Sequence, residues 1–289
     1  MISIVIPTYK ERFLKDTIET IIANTRENYE IIVVSSSPEL DSFVKDYGAV
    51  LLEAPKGYAG EARNIGAREA RGDVLVFVDS HVWVPKGWEK VTYHALKSDV
   101  GIVTSAVYVV DTNGVHHKEQ VGYFPICYSN LEFGWGRPPS ASEAYEVQAP
   151  VGCFHVVERK KFLGQPAGYI PYWGYEDREL ALRFFRLGYK NILVPDVKVG
   201  HMFKHSSGPV SLSNFWYLYA KNYYIGSLLD FDDKTLSRLK NTLKSKGVTE
   251  EIKKEVVSER KWLALRNYYL ETYKLPDTLW FKTFGVEPP

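Results

Sequence analysis

The sequence predicts an α/β fold, a mostly parallel sheet flanked by helices, with a helical extension at its C-terminal end. Three observations carry this expectation. Short apolar runs alternate with amphipathic segments from residue 2 to about residue 80, the rhythm of parallel strands covered on both faces. From residue 211 onward the pattern is helical only. No internal repeat, low-complexity tract or flexible linker interrupts the 289 residues, so they read as one large α/β domain carrying an appendage.

Each element has its own signal. Residues 2–6 are apolar throughout and stopped by Pro7, which marks a buried strand. A helix follows, with Leu14, Ile18, Ile21 and Ile22 on one face. Residues 31–34 form a second strand, ended by Ser35-Ser36-Ser37-Pro38, and residues 50–52 a third. Residues 59–71, rich in Ala and charge, are a helix, and 74–78 a fourth strand. Strands at 103–110 and 114–124 flank Asp111-Thr112-Asn113-Gly114, a hairpin signal. Residues 125–149 look irregular and are expected to cap a site. Residues 151–158 are a strand and 191–194 a shorter one. Between them, 176–187 is a helix with Leu180, Phe184 and Leu187 on one face and Gly188 as its stop. The extension has two helices, 211–229 and 249–273, the second presenting Val256, Leu263 and Leu270. The expected division is 1–210 for the α/β unit and 211–289 for the extension.

Charge and composition exclude several functions. Lys plus Arg is 36 and Asp plus Glu 35, a balance that argues against a nucleic-acid partner. Two cysteines, Cys127 and Cys153, cannot build a disulfide framework or a four-cysteine zinc site. No apolar run approaches the ~20 residues of a membrane span. The opening strand has no basic region or cleavage site, so an ordinary secretory signal is not expected and the cytoplasm is the expected location.

Ligands of open α/β sheets bind at the carboxyl ends of the parallel strands. Three such ends stand out: Pro7-Thr8-Tyr9-Lys10-Glu11, Ser35-Ser36-Ser37 and Asp79-Ser80-His81. Residues two apart in an extended segment share a side, so Asp79 and His81 either grip one cation or decorate a solvated turn. A carboxylate plus an imidazole suits Mn²⁺ better than Mg²⁺, which prefers oxygen alone and is the alternative. A later segment, Val199-Gly200-His201-Met202-Phe203-Lys204, offers His201 as a third ligand and Lys204 as a phosphate partner. In Pro171-Tyr172-Trp173-Gly174-Tyr175-Glu176-Asp177, two carboxylates open a helix. The helix dipole there is expected to keep both ionised, which suits a general base; a plain acidic helix start is the alternative.

These stretches together resemble the glycosyltransferases of the GT-A fold, a Rossmann-like architecture, and family 2 in particular. SIVIPTYKE resembles their first strand and nucleotide-binding turn, and ARNIGAREARGDVLVFVDSH the stretch leading to their metal motif. PVGCFHVVERKKFL and GYIPYWGYEDRELALRFFRLGYK resemble their acceptor-site strand and Glu-Asp helix. The match covers about residues 1–205. Most family 2 members carry Asp-X-Asp at the metal; the Asp-X-His here, with Val-Gly-His-X-Phe later, is similar to the polypeptide N-acetylgalactosaminyltransferases. The resemblance implies Mn²⁺ on Asp79, His81 and His201. It implies a nucleotide-sugar donor beside Pro7, Thr8, Tyr9, Glu11, Asp79 and Ser80, with Arg63 and Lys204 toward the diphosphate. Those relatives have Asn where this chain has Asp177, and inverting enzymes have Glu-Asp. Asp177 is therefore the expected base of an inverting transfer, with Glu176 and Trp173 binding the acceptor, a glycan or lipid-linked hydroxyl. The acidic pair usual after strand two is Ser35-Ser36-Ser37 here, which leaves UDP, GDP and other nucleotides open, with Ser35 offering a hydroxyl to the base. A retaining transferase and a non-catalytic sugar-binding module on the same fold are the alternatives.

Two further expectations concern the region after His201. Residues 204–209 are polar and punctuated by Gly208 and Pro209, as in a lid that closes over the donor. Residues 215–224 hold six aromatics and read either as a helix packed on the α/β unit or as one that touches a membrane, which would place the protein at the inner membrane face.

Overall fold

The computed structural model describes residues 1–55, 58–137, 143–163, 174–203 and 214–289. The N-terminal part alternates as expected: β1 (Ile2–Thr8), α1 (Leu14–Asn24), β2 (Tyr29–Ser35), a 3₁₀ turn (Ser42–Tyr47), β3 (Val50–Glu53), α2 (Ala59–Glu69) and β4 (Val74–Val78). Then come β5 (Val82–Trp83), α3 (Lys90–Ala95), β6 (Val100–Val110), β7 (His116–Cys127), β8 (Phe133–Gly136), β9 (Tyr145–Glu146) and β10 (Phe154–Glu158). α4 (Arg159–Leu163), α5 (Glu176–Arg186) and β11 (Lys190–Met202) complete the α/β part. The extension contains α6 (Phe215–Asp230), α7 (Asp233–Arg238), α8 (Lys240–Ser245), α9 (Glu250–Ser258), α10 (Arg260–Thr272) and α11 (Asp277–Thr283).

The sheet runs β3-β2-β1-β4-β10-β6-β11-β5. Strands β3, β2, β1 and β4 are mutually parallel, as are β6 and β11; β10 runs against both of its neighbours, and β5 runs against β11. Alternation along β1 explains the layering. Ile2, Ile4 and Ile6 pack with Leu14, Ile18 and Ile21 of α1 on one face, while Val5 packs with Ala62 and Ala67 of α2 on the other. Ile22 leaves the expected α1 face and is exposed.

Three expectations change. Residues 125–149 are not a plain cap: β7 pairs with β8, and β9 pairs with β11. The expected strand 191–194 is the first part of β11, whose register on β6 shifts between Val194 and Lys198, where Pro195 cannot donate to the ladder. His201 therefore lies within a strand. The expected helix 249–273 breaks at Glu259, which anchors Lys221 (2.7 Å), Lys261 (3.0 Å) and Trp262 Nε1 (3.0 Å). The break turns Trp262, Arg266 and Tyr269 inward.

α5 is buried on two sides. Leu180 and Phe184 face the sheet, and Phe184 fills the space over Gly101, where a Cβ would come within 2.7 Å of its ring. Ala181, Leu182 and Phe185 face α6–α11 and share one core with Ala220, Tyr223, Leu228 and Trp280. Each fully buried Leu or Phe side chain among them contributes about 1.5–3 kcal/mol. The boundary between residues 210 and 211 lies outside the described residues. α6 is buried from Ala220 to Asp230, while Trp216 in its first turn is 76% exposed. Among the described residues no helix is long and apolar enough to cross a membrane.

Candidate active site

The turn after β4 is fixed at both ends. The Asp79 amide donates to the Cys153 carbonyl at 2.9 Å, and the Val82 amide donates to Thr17 Oγ1 at 3.1 Å. β5 then pairs antiparallel with β11, His201 opposite Val82, and the Met202 amide donates to the His81 carbonyl. This register gathers ligand atoms of Asp79, His81 and His201 within 4.8 Å of one another. Asp79 Oδ2 lies 3.7 Å from His201 Nε2, and the imidazole rings of His81 and His201 are 4.9 Å apart. Glu11 Oε2 sits 3.0 Å from His81 Nδ1, an outer carboxylate that fixes the ring and leaves Nε2 for a cation. Two imidazoles and one carboxylate fit a divalent ion of the Mn²⁺ type. Burial alone would raise the Asp79 carboxyl. The nearby His201 imidazole and the charges of Arg63 and His81 instead hold it well below the usual carboxylate range.

Arg63 joins this group to the carboxylates of α5. Its Nη2 donates to Asp79 Oδ1 at 3.1 Å and to the Gly152 carbonyl at 3.3 Å, and its Nη1 lies 3.6 Å from Glu176 Oε1. The guanidinium is buried between the two acids rather than lying on a helix surface. The Asp177 carboxylate lies over Gly152, where a Cβ would fall on it. Glu176 departs from the expectation that the helix dipole keeps both carboxylates ionised. Burial, then the Asp177 charge, push Glu176 up to about 7, with Arg63 pulling the other way. Burial also raises Asp177 against the pull of Arg63 and Arg178. Desolvation outweighs the helix dipole at this site.

The comparisons with known proteins bear on this geometry. Residues 3–163 match the model of the family described as Glycosyl transferase family 2. The chain belongs to that family. Among curated proteins, the inactive polypeptide N-acetylgalactosaminyltransferase-like protein 5 of Macaca fascicularis is 29% identical over 234 residues, covering 72% of this chain and 53% of that protein. Polypeptide N-acetylgalactosaminyltransferase 11 of Xenopus tropicalis is 27% identical over 238 residues, covering 71% of this chain and 38% of that protein. The chain thus spans about half or less of the length of these relatives. A crystal structure of GalNAc-T7 with UDP, GalNAc and Mn²⁺ has the same fold, with a TM-score of 0.68 at 19% identity, covering 94% of this chain and 56% of that one.

The family 2 match ends before Glu176, Asp177 and His201, so their placement rests on the geometry above. At the first strand end, Thr8 and Ser80 are buried, Pro7 and Tyr9 are half-buried, and Glu11 holds His81. Ser35 is buried with its hydroxyl donated to Asp41 and its Oγ accepting the Ser37 amide at 2.8 Å. The chain therefore returns an acidic group to the end of β2 through Asp41, which also lines a recess of about 380 Å³ with Lys10, Glu11 and Phe43. Trp173, Lys204 and the expected lid at 204–209 lie outside the described residues.

Three features escaped sequence reasoning. Asp41 stands six residues past Ser35 and no local pattern ties them. Gly152 is legible only as a small residue in Val151-Gly152-Cys153. The third feature is an aromatic wall from the metal ligands to α5. His201 meets Phe203 at 4.4 Å, Phe203 meets Trp135 at 5.5 Å, Trp135 meets Phe124 at 4.4 Å, and Phe124 stacks on Phe133 at 5.1 Å. The Arg178 guanidinium, next to Asp177, lies 4.6 Å from the Phe133 ring centroid. Trp135 remains 50% exposed on this wall. The alternation Phe133-Gly134-Trp135-Gly136 was its only signal.

Gly152→Ala is expected to displace the Asp177 carboxylate while sparing the sheet, since the obstructed atoms end a side chain. Turnover should fall by about tenfold or more, because a 1 Å misplacement costs up to ~10²-fold. Equal turnover in steady-state assays of the two proteins would mean that Asp177 works from another position.

Proposed function

We propose that the protein is a metal-dependent glycosyltransferase that moves a sugar from a nucleotide-sugar donor to a hydroxyl of a glycan acceptor with inversion, Asp177 being the base. One observation carries the reading: Asp177 is seated over Gly152, and its neighbour Glu176 is joined through Arg63 to a candidate cation site of two histidines and one aspartate. UDP is the favoured nucleotide, because Asp41 supplies an acidic group at the end of β2 and the GalNAc-T7 structure of the same fold was solved with UDP.

The residues divide the work. Asp79, His81 and His201 would hold the divalent ion, which supplies Lewis acidity toward the departing diphosphate when bound. Arg63 adds a buried positive charge on the same side, where leaving-group charge develops. Asp177 accepts the proton of the acceptor hydroxyl at its carboxylate. Its raised pKa brings it closer to the working pH, where a general base is most effective. Glu176, partly protonated near neutral pH, can donate to or accept from an acceptor hydroxyl. The wall of Phe124, Trp135 and Phe203 offers flat apolar faces on which a sugar ring can lie.

Thermal melting with UDP, GDP, CDP and dTDP, each with and without Mn²⁺, tests the donor side. A Mn²⁺-dependent rise with UDP is expected; no rise with any nucleotide would refute the reading. Proton NMR of the product formed from UDP-GalNAc tests the stereochemistry. A β-linkage is expected, whereas an α-linkage would make Asp177 a binding residue of a retaining enzyme.

A further inference from the structure

The two carboxylates begin α5, and the turn before them is unusual. Gly174 and Tyr175 both have positive φ, +98° and +74°. For Tyr175 this left-handed conformation persists only where surrounding structure enforces it. Its carbonyl starts the helix, accepting the amides of Arg178 and Glu179 at 3.0 Å each. Wherever this turn sits, Glu176 and Asp177 follow.

The enforcing groups come from α6. Asn222 Nδ2 donates to the Gly174 carbonyl at 3.1 Å, and Asn222 is fully buried. The Tyr219 ring occupies the space beside Gly174, 2.6 Å from where a Cβ would stand. The Tyr223 ring meets Tyr175 edge-on at 5.2 Å, and its hydroxyl accepts from that of Tyr219 at 3.1 Å. Farther along α5, Tyr269 of α10 donates to Glu179, which pairs with Arg183 at 2.8 Å. The extension therefore grips the catalytic helix at its first turn and again one turn later.

We infer that Asn222, with Tyr219 and Tyr223, is a positioning residue that sets the Asp177 carboxylate over Gly152 and the Glu176 carboxylate against Arg63, so that the C-terminal helices are part of the acceptor half of the site. The inference rests on the proposed function for its kinetic consequence. Its structural content stands apart: Asn222 acts on the α5 start and not on the metal group, which β4, β5 and β11 hold. A residue of merely structural value would lower stability and affect donor and acceptor steps together.

The test uses the full chain with Asn222→Leu, which keeps volume and removes the donor, and separately Tyr219→Ala. Turnover of UDP-GalNAc with Mn²⁺ should show kcat lowered by about 10- to 100-fold, the scale of a displaced catalytic group. KM for UDP-GalNAc and the affinity for UDP with Mn²⁺ should stay within about twofold. Hydrogen exchange read by mass spectrometry should quicken at residues 176–179 and remain as in wild type at residues 74–78. Should Asn222→Leu fail to fold, Tyr219→Ala, a half-buried position, decides by the same readouts. Unchanged exchange at 176–179 overturns the inference, as does a parallel fall of kcat and UDP affinity. A wild-type chain that turns over no nucleotide sugar refutes the proposed function, and the exchange result then decides the positioning role alone.

Discussion

Asp177→Asn is expected to lower transfer by about 10²–10⁴-fold, the usual contribution of one general base. The amide keeps the shape that fits over Gly152 and cannot accept the acceptor's proton. Mn²⁺-dependent UDP binding should persist, because Asp79, His81, His201 and the Arg63 contact with Asp79 are untouched. Losing the neighbouring charge lets Glu176 ionise more readily, since the Asp177 charge helps to raise it. The wild-type pH profile should rise with pH along an acid limb displaced upward from that of an ordinary Asp, as burial raises the base and only its ionised form works. Initial rates and UDP calorimetry across pH provide the check. Near-wild-type turnover in Asp177→Asn would remove this residue from the chemistry.

His201→Ala carries the second large effect. It removes one of three candidate ligands, a ring nitrogen 3.7 Å from Asp79 Oδ2, and the ring between His81 and Phe203. Outer partners of metal ligands alone are worth about 10–100-fold in affinity. Loss of a ligand should therefore bring UDP affinity in Mn²⁺ down to its metal-free value. Titration calorimetry with and without Mn²⁺ reads this directly, and an unchanged Mn²⁺ dependence would place the ion elsewhere. Melting should shift little, since β11 keeps its pairing with β6 on backbone bonds.

The sheet was legible because buried parallel strands write themselves as apolar runs: β1, β2 and β4 appear where residues 2–6, 31–34 and 74–78 announced them. Asp79 and His81 were legible because two-residue spacing is local. His201 lies about 120 residues further on, where the segment after a short strand offers it as a third ligand and the resemblance supports that reading, but no spacing rule ties it to Asp79. Relations across the fold left no trace in order alone. Asp41 beneath Ser35, Gly152 beneath Asp177 and the α6 grip on Gly174 join segments far apart or without periodic signal. The protonation of Glu176 is not legible because a helix start shows in sequence, whereas its burial comes from the fold that sets it against Arg63 of α2. The break at Glu259 was missed for a related reason. It is held by Lys221 of another helix, and neither Gly nor Pro marks it.

The position of β11 has a consequence for the birth of the molecule. Among the described residues it is the last strand made, yet it lies between β6 and β5. While a ribosome extends the chain from His81 to His201, roughly 6–24 s at ordinary synthesis rates, β5 lacks its strand partner and the candidate cation site lacks His201. If the proposed function holds, a nascent chain in that interval would not capture Mn²⁺ and nucleotide at this site. The α6 helix emerges later still, so on that reading competence would mature in order: first the capacity to hold a donor, then the fixed base that can use it. A chain stalled between these two points would then sequester a nucleotide sugar without spending it.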